Sequence, residues 1–477
     1  MNKLLSNLTG LVIVGFLPYL VNFIVLPIYS QNLDAQDFGL IGLAMASMAI
    51  ASTWSHLQLP GALSRIYYDY SGEERIYFIS TIVNSGALIA ILFSGVYIFF
   101  SAELSSLIFH SSNYVDLIMM TSIMLMFNVI NLFFERLLIN QERGFPILIR
   151  GIICQVISVC GGVYFIVIQD LGALGFVYSQ AMYYFSMCLV SFFLIRRQYR
   201  FYIKYLYLKE SLKYSFPLIF HAIGGVVFMY SSVFFIENLM SLSVLGVFFI
   251  ADKFAQFIKA LVNSVNNVVM PYYHKISVSD FLKGKMFLEL LVPMWLAFFI
   301  AVIVNFSFLA NIFLVEFMHG DYGDVFIPIL VMCLACVFRG LYCFSSAPLF
   351  FGKKTSVIAK VTILTGVVSL ILNYVMIKVW GLNGAALSIF LSFVLSFILA
   401  WYYSVLVYRV NLLTMKNLYI SCFALMVNFF PNYLLAVDAF FVCMLINIFL
   451  VIATFIFIFC GNLFGIKDDF KLIRGYI

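Results

Sequence analysis

Apolar residues gather in about 14 long stretches between Leu8 and Cys460, separated by short polar segments. Their bounds are about 8–29, 38–58, 77–100, 115–135, 147–168, 173–195, 214–236, 243–268, 286–309, 326–349, 357–377, 382–408, 415–432 and 439–460. A helix needs about 20 mostly apolar residues to cross the hydrocarbon of a bilayer. The pattern therefore predicts an all-α polytopic membrane protein with about 14 transmembrane helices. The short split near residue 170 is a polar turn, Gln169-Asp170-Leu171-Gly172.

Charge alternates along the same pattern. Every second connection carries Lys and Arg: Lys3; Arg65 and Arg75; Arg136, Arg143 and Arg150; Arg196, Arg197, Arg200, Lys204, Lys209 and Lys213; Lys275, Lys283 and Lys285; Lys353, Lys354 and Lys360; Arg409 and Lys416; Lys467, Lys471 and Arg474. These are 23 of the 27 basic residues. The opposite connections hold one, Lys378, and three lie inside spans: Lys253, Lys259 and Arg339. Basic residues collect on the cytoplasmic side of membrane proteins. Both termini are thus expected in the cytoplasm.

Composition narrows the class. Hydrophobic residues make up 64%, charged residues 10%, and mean hydropathy is +1.07. Roughly 280 residues would lie in lipid. The longest connection, about Arg196 to Lys213, is too short for a domain of its own. The net charge of +6 follows from topology, and no basic run interleaved with aromatics suggests nucleic acid. All nine cysteines fall in apolar stretches; Cys333 and Cys336 have CxxC spacing, but within a span they read as packing residues. The first stretch is of spanning length and lacks a small-residue cleavage site, so no cleavable signal peptide is expected.

Three landmarks recur at nearly one offset. Phe38-Gly39-Leu40 matches Leu245-Gly246-Val247, Gly172-Ala173-Leu174-Gly175 matches Gly381-Leu382-Asn383-Gly384, and Arg143 to Arg150 matches Lys353 to Lys360. Two six-helix lobes related by a parallel repeat are expected. They would be residues 1–195 and 214–408, joined by a basic cytoplasmic linker at 196–213 and followed by two extra spans and a tail at 409–477. Transporters commonly bind substrate between such halves.

Intramembrane charge costs about 2.5–3.5 kcal/mol per residue, so it marks candidate sites. Asp252, Gln256, Lys259, Asn263 and Asn266 fall at i, i+4, i+7, i+11 and i+14, on one face of a helix. The stripe is about 21 Å long. It either lines a watery cavity or packs on a polar partner. Lys253 lies beside it, with a pairing to Asp252 or a lipid headgroup as its plainer role. Thr362, Thr365, Ser369 and Asn373 form a milder stripe, as do Asn128, Asn131 and Glu135; interhelical hydrogen bonding and cavity lining are both open for them. Arg339 shares a face with Tyr342 and Ser346. His221 is isolated, either a structural histidine or a proton site. Lys253, Lys259, Arg339 and Arg65 form the expected cationic cavity, and Asp252 and His221 are the candidates for ion coupling. Such a cavity suits an anion, phosphate or diphosphate above all.

Enzyme signals are weak. His319, Asp321 and Asp324 share one short loop that reads as a solvated turn rather than a metal site. No P-loop, GxSxG or HExxH occurs, so neither ATP hydrolysis nor a cofactor is expected. Transport would draw on an ion or substrate gradient.

Several segments resemble a known family. Leu26-Pro27-Ile28-Tyr29 with Leu33-Asp34-Ala35-Gln36-Asp37-Phe38-Gly39-Leu40 is similar to the opening of bacterial O-antigen-type polysaccharide flippases, of the multidrug/oligosaccharidyl-lipid/polysaccharide exporter superfamily. Leu208 to Pro217, Leu245-Gly246-Val247-Phe248 with Ala251-Asp252-Lys253, Gly320-Asp321-Tyr322 and Gly381 to Ala386 resemble later landmarks of that family, over about the first 410 residues. The resemblance implies alternating access by two lobes in a V and movement of an undecaprenyl-diphosphate-linked sugar unit to the outer leaflet of a bacterial inner membrane. Membrane lipid is an implied partner, as are a polysaccharide polymerase and a chain-length regulator. It places Lys253 at a position often basic in the family. Where many relatives carry an Asp-Arg pair, this chain has Tyr230-Ser231-Ser232. A cation-coupled drug or metabolite exporter is the alternative. An O-antigen polymerase or ligase fits less well, because the longest outer loop, about 310–325, is short and lacks Arg and Lys.

Overall fold

In the computed structural model, residues 18–141, 143–318, 325–352, 354–412, 415–435 and 440–460 are described. They form α1 (Pro18–Tyr29), α2 (Ala35–Ser55), α3 (Leu59–Ile66), α4 (Gly72–Phe99), α5 (Ser101–Phe109), α6 (Val115–Asn140), α7 (Gly144–Gly162), α8 (Gly172–Ile195), α9 (Tyr205–Leu239), α10 (Leu242–Ser279), α11 (Phe281–Phe317), α12 (Phe326–Phe351), α13 (Thr355–Tyr408), α14 (Met415–Leu435) and α15 (Phe440–Cys460). The fold is that of an all-α polytopic membrane protein. Each predicted span falls on a helix, the first over its described part. The short helices α3 and α5 were not expected from the hydrophobic pattern. Nine helices among the described residues are long and apolar enough to cross a membrane. α13 holds two predicted spans, because Gly381 (φ 56°, ψ −131°) breaks its helical path.

The chain divides into two compact units, Met1–Phe249 and Ile250–Ile477. This division lies within α10, whereas the sequence repeat places its linker at 196–213. In unit 1, α9 packs on α2, α3 and α4. Tyr70, between α3 and α4, donates to Glu210 Oε2 on α9 at 2.7 Å and meets Tyr207 edge-on. Burial, and then the Glu210 carboxylate, push the Tyr70 phenol up, so it stays a donor.

α2 is buried on most of its faces, as expected of a helix without a polar side. Its start is fixed by a capping box: Asp34 accepts from the Asp37 backbone N–H at 2.8 Å, and the Asp37 carboxylate accepts from the Asp34 N–H. Asp37 also accepts from the Ala173 N–H at 3.1 Å, which ties the start of α2 to the start of α8.

Glycines at the expected repeat offset make matching backbone contacts. A Cβ on Gly39 would lie 2.0 Å from the Leu242 carbonyl oxygen, and one on Gly246 would lie 1.7 Å from that of Ala35. Ala35 and Leu242 are equivalent at the repeat offset, as are Gly39 and Gly246. The contact is therefore reciprocal: each glycine meets the other's partner, as in an isologous two-fold interface. Small residues let helix backbones approach this closely where water supplies no hydrophobic drive. The second landmark behaves likewise. Gly172 and Gly381 open their turns at φ 54° and 56°, a region costly for residues with a Cβ. Gly175 and Gly384 then press against preceding carbonyls, at 2.9 Å from Phe165 O and 1.9 Å from Met376 O for an added Cβ.

In unit 2, α11 packs on α12, α14 and α15, and α12 lies along α13. The two extra helices dock through amides. Asn305 on α11 donates to Asn428 Oδ1 at 2.6 Å, and Asn432 donates to Asn305 Oδ1 at 2.9 Å. Asn428 donates onward to Thr454 Oγ1 on α15 at 3.1 Å.

Candidate functional site

The predicted stripe lies on a continuous helix, α10. Gln256 donates to Asp252 Oδ2 at 2.5 Å, one turn apart. Asp252, Gln256, Lys259 and Asn263 are half-buried, and Asn266 is buried. The Asn266 amide finds no hydrogen-bond partner among the described residues.

α12 brings the second cation. Cys336 packs its thiol on the Ala255 carbonyl at 3.7 Å, holding α12 against α10 between Asp252 and Lys259. Lys259 then lies in electrostatic range of Arg339, Asp252 and Cys336. The Arg339 guanidinium also stands over the Phe393 ring of α13, 6.0 Å from its centroid. The structure thus brings Asp252, Gln256, Lys259 and Arg339 together, two cations against one carboxylate. Long, half-buried donors of this kind can bind an oxyanion strongly, because little water competes.

The other expected members are placed differently. Lys253 is next to Asp252, within reach of its charge, but turned about 100° from the stripe. Arg65 belongs to unit 1; its side chain on α3 is 60% exposed and grips Asp69 with bonds of 2.9 and 3.2 Å. Asp69 pushes the already high guanidinium pKa further up. The His221 side chain and the loop with His319, Asp321 and Asp324 lie outside the described residues. Cys333 and Cys336 are buried free thiols. Among the described residues no cluster of His, Cys, Asp and Glu could hold a metal ion.

The milder stripes resolve toward helix packing. Thr365, Ser369 and Asn373 are buried, and Asn373 accepts from Ser388 across the α13 turn. Asn131 and Glu135 on α6 face Arg150, which corrects the placement of Arg150 in a cytoplasmic connection. Arg150 is inside α7 and only 1% exposed. It donates to Ser191 Oγ at 2.7 Å and Asn131 Oδ1 at 3.3 Å, and its second Nη stands 3.8 Å from Glu135 Oε2. Hydrophobic patterning assigns a basic residue near a span end to the loop. The available signal was the polar face of α6, which needs a partner in lipid.

Comparisons with known proteins agree with this architecture. The family model for polysaccharide biosynthesis proteins matches residues 4–277. Among solved structures, the lipid II flippase MurJ in an inward closed conformation is similar over 94% of this chain and 99% of its own, at 18% identity and a TM-score of 0.74. A superfamily transporter from Pyrococcus furiosus covers 85% of this chain and 95% of its own, at 12% identity and a TM-score of 0.60. A eukaryotic MATE transporter covers 89% and 98%, at 13% identity and 0.59. These likenesses establish the fold. No curated protein matches the sequence.

Proposed function

Because the chain belongs to the polysaccharide biosynthesis protein family, we propose that it is a flippase for lipid-linked glycans. Its cargo is an undecaprenyl-diphosphate-linked oligosaccharide, an O-antigen or related surface unit. It carries that unit from the cytoplasmic to the outer leaflet of a bacterial inner membrane by alternating access of two six-helix lobes. Both termini face the cytoplasm, and a polymerase and a chain-length regulator act on what it delivers.

One observation carries the reading: the Cys336–Ala255 contact of 3.7 Å sets α12 on α10, so that Arg339 joins Lys259 and Asp252 on the packed pair of helices. That excess positive charge inside a membrane protein suits a diphosphate. The likeness to a lipid II flippase supports it. A cation-coupled drug or metabolite exporter is the second reading, favoured by the MATE likeness.

The test uses a strain deleted for the gene, restored with the parent, Lys259→Ala or Arg339→Ala. Undecaprenyl-diphosphate-linked glycan and surface polymer are quantified on each side of the membrane. The proposal requires the lipid-linked unit to accumulate inside in the deletion, and transport by the variants to fall roughly ten- to a hundred-fold, as loss of one charge-assisted bond implies. Unchanged glycan would favour the exporter. Single units outside without polymer would favour a polymerase or ligase.

A further inference from the structure

The connection from α8 to α9 is laid along α4 rather than left in solvent. Its extended stretch, residues 199–204, uses three polar side chains of α4 as its hydrogen-bonding track. Ser80 Oγ accepts from the Arg200 N–H at 2.9 Å and Thr81 Oγ1 from the Lys204 N–H at 3.1 Å. Asn84 donates to both the Arg200 and Tyr202 carbonyls at 3.1 Å and accepts from the Tyr199 hydroxyl. Aromatic contacts reinforce this: Tyr77 meets Tyr202, and Tyr199 meets Phe192 of α8.

The depth of this track is informative. Ser80 and Asn84 lie 8 and 12 residues past the start of α4 at Gly72, so about 12–18 Å along it. A loop in water has its backbone satisfied by water. One at the bilayer boundary must find protein partners, because lipid offers none. The outward face of the stretch carries the complementary signature. Phe201 is 90% exposed and Tyr205 74%, with Ile203 and Leu206 exposed beside them. Between 196 and 209 there are five basic residues, Arg196, Arg197, Arg200, Lys204 and Lys209, all exposed, and no acidic one. Arg200 and Lys204 are steadied over the rings of Tyr77 and Tyr207, at 5.7 and 5.0 Å.

We infer that residues 196–209 form an interfacial docking strip for anionic phospholipid: Phe201, Ile203, Tyr205 and Leu206 enter the leaflet while Arg200 and Lys204 hold headgroup phosphates. The inference rests on the cytoplasmic orientation proposed above, but not on the transported substrate. Each basic residue at a surface of anionic lipid is worth about a five-fold local enrichment.

The test places the purified full-length protein, carrying Phe201→Trp, in nanodiscs. Brominated phosphatidylglycerol or brominated phosphatidylcholine is present at equal mole fraction, and quenching is corrected for that of the parent protein. The introduced indole should be quenched by both lipids and more strongly by the glycerol lipid. Adding Arg200→Gln and Lys204→Gln should remove the preference while keeping the quenching, since the strip is anchored to α4 through backbone groups. No quenching by either lipid would put the strip in water and overturn the proposal. Equal quenching would overturn its headgroup recognition. A preference abolished by a small fraction of undecaprenyl diphosphate would assign the strip to the transported lipid instead, and overturn it too. None of these readouts depends on transport, so failure here is distinguishable from failure of the flippase reading.

Discussion

Replacing Arg150 tests whether its buried contacts or its ion pair hold unit 1 together. Arg150→Ala strands two buried acceptors, Ser191 Oγ and Asn131 Oδ1, each at a cost of about 1–2 kcal/mol. It also leaves a cavity where the side chain packed. Glu135 contributes little, because its side chain is 43% exposed and 3.8 Å away; screened pairs of that kind are worth about 0–1 kcal/mol. On the other side, the Arg150 Nε has no partner among the described residues, and the variant removes that buried charge. The net expectation is a loss of about 2–4 kcal/mol, or roughly 5–15 °C in apparent melting temperature for a unit of this size. Arg150→Met keeps most of the packing and should lose less. Glu135→Gln should lose least.

The assay is fluorescence-detected size exclusion of the detergent-solubilised protein after heating. The order Arg150→Ala, then Arg150→Met, then Glu135→Gln is the signature of a buried hydrogen-bonding arginine. If Glu135→Gln melts as low as Arg150→Ala, the ion pair is the main interaction and this accounting is wrong. If Arg150→Ala melts with the parent, Arg150 is not buried among these helices at all.

Gly39→Ala and Gly246→Ala should each lower the melting temperature by the equivalent of about 1–3 kcal/mol, because the new methyl meets a carbonyl of the crossing helix; parental melting of both would refute the close crossing. Asn428→Leu should cost about 1 kcal/mol by removing its hydrogen bonds with Asn305 and Thr454, measured by the same heating assay; no shift would mean that these two bonds do not help to dock α14 and α15. Lys259→Ala and Arg339→Ala should reach the membrane in parental amounts and melt no lower than the parent, yet fail to restore glycan export; full export by both would remove the diphosphate site.

Much of the architecture was legible because crossing a bilayer takes about 20 apolar residues per span, a length that stands out along the chain. The turn at Gly381 was legible for a similar reason: a Gly-rich polar break between two full-length stretches can only be a hairpin. The α10 stripe was readable because its five polar residues keep helical spacing. The short helices α3 and α5 were hidden, since neither crosses the membrane nor carries a long period. The burial of Arg150 was hidden for a different reason. Its partners lie 19 and 41 residues away in sequence, on two other helices, and no local pattern marks their convergence. The amide network of Asn305, Asn428 and Asn432 was missed although Asn428 and Asn432 are one turn apart, a spacing that could have flagged a polar face.

The repeat shows what symmetry is kept for. The equivalent glycines Gly39 and Gly246 still make the same contact, and Gly172 and Gly381 still turn the chain at the same φ. These are steric requirements of the backbone, and an exchange for any larger residue meets a carbonyl or a forbidden conformation. The charges have diverged. Arg150 is buried and bonded in unit 1, whereas Lys360, its equivalent, is exposed in unit 2. Unit 2 instead carries its cations on α10 and α12, as Lys259 and Arg339, where unit 1 has the apolar Ile130 at the position matching Arg339. A charge retained only for folding would sit equally well in either half. Two cations gathered in one half, half-buried and answered by one carboxylate, are costly there, and the proposed diphosphate would neutralise them.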